Sequence, residues 1–351
     1  MIIPAFAANR WKQYNERMAH KAVFFNFERW GDEGKKRLLE NEALKAAGIE
    51  IAFETATLDK DHIPANTDFD IAGVFMNSAV DAVTIAALPS LKCIATLTTG
   101  FDHVDLKVAA ERGITVCSVP AYGENTVAEF AFALLLALSR KVGEARARVR
   151  DEHSFSTDGL QGFDLAGKTI GVLGTGRIGK HAIRMAKGFE MNVLAYDVFH
   201  DDAFAAQIGF KYVSLDELLA QSDIITIHVP NLPETYHMIN AQNIGKIKQG
   251  AYIINTARGS VIETAALVGA LKSGQIGGAG LDVLEEEADM KKGDMSGSGI
   301  TELLAMPNVI VTPHNAFNTH EAALRIIDTT IGNIVGFANC APTNVVKPAT
   351  T

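Results

Sequence analysis

Apolar and polar positions follow a regular rhythm along this chain, with short apolar runs separated by longer amphipathic stretches. Runs at 22–27, 50–53, 71–75, 93–97 and 115–119 predict strands, and helical periodicity at 34–47, 79–87 and 106–112 predicts the helices between them. Such alternation predicts a parallel sheet with helices on both faces. Gly123-Glu124-Asn125-Thr126 then caps a long predicted helix over 127–149, apolar on most sides in its first half. Helices that apolar usually lie between domains or between subunits. A second alternating region follows, with strands expected at 169–173, 192–196, 224–228, 252–255, 280–283 and 309–311. Ser214 with Glu217, and Ser260 with Glu263, have capping-box spacing, and Gly274 suits a helix stop. A final helix is expected near 322–338.

One stretch of the second region is chemically explicit. In KTIGVLGTGRIGKHAIRMAKGFEMNVLAYD, residues 168–197, a strand runs into Gly174, Gly176 and Gly179 spaced as G-x-G-x-x-G. A helix over 178–187 and a second strand ending on Asp197 follow. The first glycine permits a tight turn, the second lets backbone approach a pyrophosphate, and the third lets helix and strand pack closely. The helix N-terminus offers unpaired N–H groups and partial positive charge to that diphosphate. Asp197 falls where a carboxylate can accept hydrogen bonds from the adenosine ribose diol, and a 2′-phosphate there would meet like charge. The expected cofactor is therefore NAD rather than NADP.

Length and composition narrow the class further. A chain of 351 residues suggests two domains, each able to bury its own core. Because the glycine fingerprint begins at 174, a whole domain precedes it, and the last helix is expected to return there. The expected division is 1–122 with 315–351 for a discontinuous substrate domain and 123–314 for the cofactor domain, with a hinge cleft between. A hydrophobic content of 48% and an aromatic content of 7% fit an ordinary soluble α/β protein. The net charge of −9 argues against nucleic acid or an anionic membrane as partner, so an anionic ligand must be held by local groups. The longest apolar stretch, 130–138, is too short to span a bilayer.

Cys93, Cys117 and Cys340 lack metal-like spacing and read as reduced thiols of a cytoplasmic protein. His103 with Asp102 and Asp105 also has poor ligand spacing, so no metal is expected. Arg146, Arg148 and Arg150 read as a solvated face or subunit contact, the loop 286–299 as a flexible insertion, and 1–20 as an extension ahead of the first strand.

A nicotinamide enzyme also needs a cation to hold and polarise its substrate, and an acid/base group to move a proton. Arg258 follows the strand expected at 252–255, Asp282 ends the next one, and His314 follows the strand at 309–311. The C-terminal ends of strands are where open α/β sheets place ligands. A planar, permanently charged guanidinium suits a carboxylate and a neighbouring carbonyl. Each of these residues alone has a bland reading: a salt bridge, a cap, a packed imidazole. Together, on three successive strands, they read as a constellation. Glu287, five residues after Asp282, can pair with His314, and a carboxylate beside an imidazole favours its protonated form.

The segments LTTGFDHVDL (97–106), NTVAEFAF (125–132), GVLGTGRIG (171–179), HVPNLPETYHMIN (228–240), NTARGSVIE (255–263), GLDVLEEE (280–287) and TPHNAF (312–317) resemble, in order, those of the D-2-hydroxyacid dehydrogenases. The resemblance runs from about residue 21 to the end. It implies two Rossmann-like, doubly wound parallel-sheet domains, a flavodoxin-like substrate domain and an NAD-binding Rossmann domain, and a homodimer. It places Arg258 on the substrate and makes Glu287 and His314 the acid/base pair. It puts Arg177 and Ile178 at the diphosphate, Val229, Pro230 and Thr235 along the cofactor cleft, and Thr256, Ala257 and Asp282 near the nicotinamide. Backbone groups of Thr99 and Gly100 would receive the substrate carboxylate. The aromatic residue three positions after the histidine resembles the D-lactate dehydrogenase branch, so Phe317 with Tyr122 would wall in a pyruvate methyl. The alternatives are a glyoxylate or hydroxypyruvate reductase of the same fold, and a non-catalytic NAD-sensing scaffold.

Overall fold

The computed structural model describes residues 20–285, 287, 297 and 299–348. The extension expected before the first strand and most of the 286–299 loop lie outside the described residues. The chain divides into two compact units, one up to Tyr122 and again from Thr319, the other Gly123–Asn318.

In the first unit the order is β1 (His20–Phe25), α1 (Gly31–Leu39), α2 (Glu42–Ala46), β2 (Ile49–Glu54), β3 (Ile71–Val74), α3 (Ala82–Ala86), β4 (Cys93–Thr96), α4 (Leu106–Glu111) and β5 (Thr115–Cys117). The strands form one sheet in the order β2-β1-β3-β4-β5, every pair parallel. All four residues of β3 and of β4 are buried, as expected where helices cover both faces. The predicted helix over 34–47 is two helices, because Asn41 caps the second with its side chain, accepting from the amides of Ala43 and Leu44 at 3.0 and 3.2 Å. The first strand stops at Phe25; Phe27–Trp30 form a 3-10 turn, and Phe27 is buried.

The second unit contains α5 (Glu124–Ser139), α6 (Val142–Asp151), β6 (Thr169–Leu173), α7 (Arg177–Gly188), β7 (Asn192–Tyr196), α8 (Asp202–Ile208), β8 (Lys211–Tyr212), α9 (Leu215–Gln221), β9 (Ile224–Ile227), β10 (Ala251–Asn255), α10 (Thr264–Ser273), β11 (Ile276–Leu281), α11 (Ile300–Ala305) and β12 (Val309–Val311). Its parallel sheet runs β12-β11-β10-β9-β6-β7-β8. The chain then returns to the first unit as α12 (His320–Ala338), where Asn333 donates to the Ser118 carbonyl at 2.8 Å. Both units are thus parallel α/β domains, as the alternation predicts.

The single helix expected over 127–149 is broken at Lys141, which sits in the left-handed region with φ 50°. The carbonyl of Ser139 accepts from the Phe163 amide at 3.0 Å, so the incoming chain terminates α5. Arg148 is only partly solvated: its guanidinium donates to the carbonyls of Ser156 and Asp158 and ties that loop to α6. Half of the capping box at Ser214 is present: its Oγ accepts from the Glu217 amide at 3.3 Å, while the Glu217 carboxylate accepts from the Gln221 side chain. The one expected at Ser260 is absent: Ser260 lies in a 3-10 turn and donates to Asn231, while Glu263 occupies the cap position of α10 without a side-chain bond to it. Gly274 ends α10 at φ 76°. Cys93 and Cys117 are buried, Cys340 is exposed, and these three cysteines form no disulfide among the described residues. Among the described residues, no helix is long and apolar enough to cross a membrane.

Candidate active site

The glycine turn lies between β6 and α7, at the C-terminal end of a central strand of the second sheet. Gly174 has φ +90°, a conformation that side chains rarely adopt. A Cβ on Gly179 would stand 2.0 Å from the Gly174 carbonyl, so only glycine permits this close approach of helix and turn. Around Gly176 the space is open, and its exposed backbone faces that opening beside Arg177. Arg177 is exposed and lies 3.6 Å from Glu124, while Ile178 packs into the core behind the turn.

At the end of β7, Asp197 accepts from the Thr175 amide (2.6 Å), the Thr175 hydroxyl (3.0 Å) and the Phe199 amide (3.0 Å). Partial burial pushes its carboxyl up, but the Phe199 and Thr175 hydrogen bonds outweigh that and hold it below the usual range. A charged acceptor therefore stands beside the glycine turn.

Three further strand ends come level. Asn255 of β10 pairs with Leu281 of β11, and Leu281 with Val311 of β12. Arg258, Asp282 and His314 follow these residues closely, and β10 and β12 are about 10 Å apart at the usual strand spacing. Asp282 is buried and serves as a hub: its carboxylate accepts from the Thr312 hydroxyl (2.5 Å) and from the amides of Asn315 and Ala316 (both 2.8 Å). Burial raises its pKa. Its part in the structure is to hold the turn that presents His314, which the sequence did not reveal.

His314 itself is left-handed at φ 52°. Its Nδ1 lies 2.7 Å from Glu287 Oε1, and the two side chains are 20% and 25% exposed. This pairing leaves the second ring nitrogen, Nε2, for a ligand. Arg258 is half-buried, and its guanidinium donates to the Ala257 carbonyl at 2.8 Å. Its turn is fixed by Asn255, which donates to the Arg258 carbonyl and accepts from the Ala257 amide.

The remaining candidates divide. Thr256 and His228 follow paired residues of β10 and β9, and each has a buried polar atom, Oγ1 and Nδ1, with no hydrogen-bond partner among the described residues. Burial lowers the His228 pKa to about 4, so the ring is neutral and well suited to a polar ligand group. Val229 packs beside Gly174. Thr235 turns its hydroxyl into its own loop, accepting from the Leu232 amide (2.9 Å) and donating to the Pro230 carbonyl (2.6 Å); it staples the loop. Phe317 is buried. In the first unit, the Thr99 hydroxyl donates to the Val119 carbonyl (2.7 Å) and Thr98 to the Gly100 carbonyl (2.6 Å), so this turn is pinned on both sides. Among the described residues, no acceptor meets the amides of Thr99 or Gly100. Tyr122 is half-buried. No group of three metal-ligating side chains occurs among the described residues.

Residues 132–316 match the family model described as D-isomer specific 2-hydroxyacid dehydrogenase, NAD binding domain. The chain belongs to this family. The dehydrogenase is 38% identical to the D-lactate dehydrogenase of Escherichia coli over 82% of this chain and 89% of that one. It is 36% identical to the glyoxylate reductase of Korarchaeum cryptofilum over 86% and 93%. It is also similar to the structure of the D-lactate dehydrogenase from Aquifex aeolicus complexed with NAD and lactic acid, with TM-score 0.80 and 35% identity over 94% and 100%. The dehydrogenase uses NAD, and the open glycine turn, the charged Asp197 and the unpartnered Thr256 and His228 atoms fit that cofactor.

Proposed function

We propose that this dehydrogenase interconverts pyruvate and D-lactate. The cofactor, when bound, would supply a hydride to the substrate's C2 as NADH and accept one from it as NAD+. Arg258 holds the carboxylate and polarises the carbonyl with its fixed positive charge. His314 gives a proton to the carbonyl oxygen from Nε2 in reduction and takes it back in oxidation, while Glu287 fixes the ring through Nδ1. Each unit taken by itself carries further suitable groups: the amides of Thr99 and Gly100 in the first suit a carboxylate and its Tyr122 an apolar group, and Phe317 of the second suits a methyl group.

The observation that carries the reading is the 2.7 Å pair of His314 and Glu287 at the end of β12, one strand beyond Asp282 and two beyond the Arg258 turn. The lactate assignment is supported by Phe317 and by the D-lactate dehydrogenases among the relatives. The glyoxylate reductase relative favours the rival substrate. NADH oxidation with pyruvate, glyoxylate and hydroxypyruvate separates them, and the highest kcat/KM is expected with pyruvate. His314→Ala should lower kcat by about 10²- to 10⁴-fold while NADH still binds. Turnover that survives this substitution would remove the assigned role.

A further inference from the structure

A second histidine–carboxylate pair stands in the same loop as the first. His237 Nε2 lies 2.5 Å from Glu285 Oε1, and Glu285 precedes Glu287 by only two residues. Both side chains are half-buried, at 27% and 21% exposure. The other oxygen of Glu285 accepts from the Thr264 amide at 2.7 Å, so this carboxylate, not a local residue, caps α10. Burial pushes the Glu285 carboxyl up, but the bonds from His237 and Thr264 outweigh it and keep it below the usual range.

Three chain segments meet at this pair. His237, left-handed at φ 49°, donates its amide to the Ser260 carbonyl at 2.8 Å, and Tyr236 stacks on its ring at 4.0 Å. Ser260 is two residues past Arg258. Gly259, between them, packs its Cα against the backbone of Leu284 and Glu285, where a Cβ would stand 2.0–2.5 Å from those atoms. The Glu287 amide in turn donates to the Leu284 carbonyl at 3.3 Å. The turn that carries Arg258 and the turn that carries Glu287 are therefore backbone to backbone, and His237–Glu285 closes the seam from the side.

We propose that His237 and Glu285 form a positioning pair that holds Glu287 in register with the Arg258 turn, and so sets the placement of His314 during proton transfer. The proposal rests on the catalytic reading above. Its physical basis is that a charged, half-buried carboxylate with fixed donors resists displacement, whereas a single carboxylate–imidazole contact on a loop does not. Misplacement of a catalytic group by about 1 Å costs on the order of 100-fold in rate.

His237→Ala is the informative variant, because it removes the side link and leaves the Glu285 cap on α10 in place. Its kcat with pyruvate, glyoxylate and hydroxypyruvate is expected to fall about 10- to 100-fold, with the NADH dissociation constant within about twofold of the parent. His237→Gln, whose amide nitrogen can donate where Nε2 did, should recover kcat to within about threefold. If His237→Ala does not fold, Glu285→Gln, which keeps one acceptor for the Thr264 amide and loses the charge toward His237, is read in the same way. A kcat that stays within about twofold of the parent in these variants, or an equal loss in His237→Ala and His237→Gln, overturns the proposal. His314→Ala is measured alongside: if it keeps turnover, the catalytic reading fails instead, independently of the His237 result.

Discussion

The two units are built alike and end their first strands differently. In the second unit β6 opens into glycines, and the space above Gly176 is free for a ligand. In the first unit the corresponding exit, from β1, is filled by rings. Phe27 lies 5.2 Å from Phe24 and 5.1 Å from Phe53, Trp30 stands edge-on to Phe75 at 5.4 Å, and the Arg29 guanidinium covers Phe75 at 4.1 Å. A parallel sheet alone does not make a dinucleotide site. The turn that leaves the strand either spares room for a phosphate or spends that room on core.

Closing the open turn puts this contrast to its most severe test. Gly179→Val would put side-chain atoms against the Gly174 carbonyl, and NADH binding, followed by fluorescence titration, should weaken about 100-fold or more. The reverse experiment opens the closed one. Phe27→Ala should cost about 3–5 kcal/mol in a denaturant titration and leave NADH affinity unchanged, since Phe27 is core and not ligand surface. A smaller effect sharpens the role of charge beside the open turn. Asp197→Ala should weaken NADH binding about tenfold, roughly one charge-assisted hydrogen bond, and narrow the gap between NADH and NADPH.

The smallest effect concerns the first unit's own carboxylate. Burial raises the Asp70 carboxyl, but the His20 ring at 2.6 Å and the Lys21 amide at 2.9 Å outweigh it and leave its pKa lowered. A lowered carboxyl stabilises the fold above its unfolded value, about pH 4, and that contribution is lost as pH falls through the folded value. Asp70→Asn should therefore flatten the acid side of the stability–pH curve measured by thermal unfolding. An unchanged slope would show that the pair does not contribute.

Most of this architecture could be read from the residues because its signals are local. Strand β6, its three glycines, α7 and Asp197 occupy one continuous stretch, and β6 and β7 begin and end where the apolar runs do. Where distant residues intervene, the reading failed. Strand β11 is Ile276–Leu281 rather than 280–283, since three of its six residues are glycines with no strand signal of their own. They belong to a strand because β10 pairs with Gly278 and Gly280, β12 pairs with Gly280, and the Tyr252 ring lies over Gly278 and over Gly277, the extra residue where the β10–β11 register shifts. Likewise nothing near Ser139 announces the end of α5; the Phe163 amide, more than twenty residues on, decides it.

The site divides along the same line. The residue types and their order are legible along the chain: a glycine turn, an acid at the end of the next strand, then Arg258, Asp282, Glu287 and His314 on successive strand ends. That Asp282 is a buried hub for the His314 turn, that Thr235 staples its own loop, and that His237 reaches Glu285 from 48 residues away emerge only from the folded chain. The physical reason is range. Periodicity, turns and caps act over a few neighbouring residues, whereas a carboxylate's partners are chosen by whichever donors the fold brings within about 3 Å.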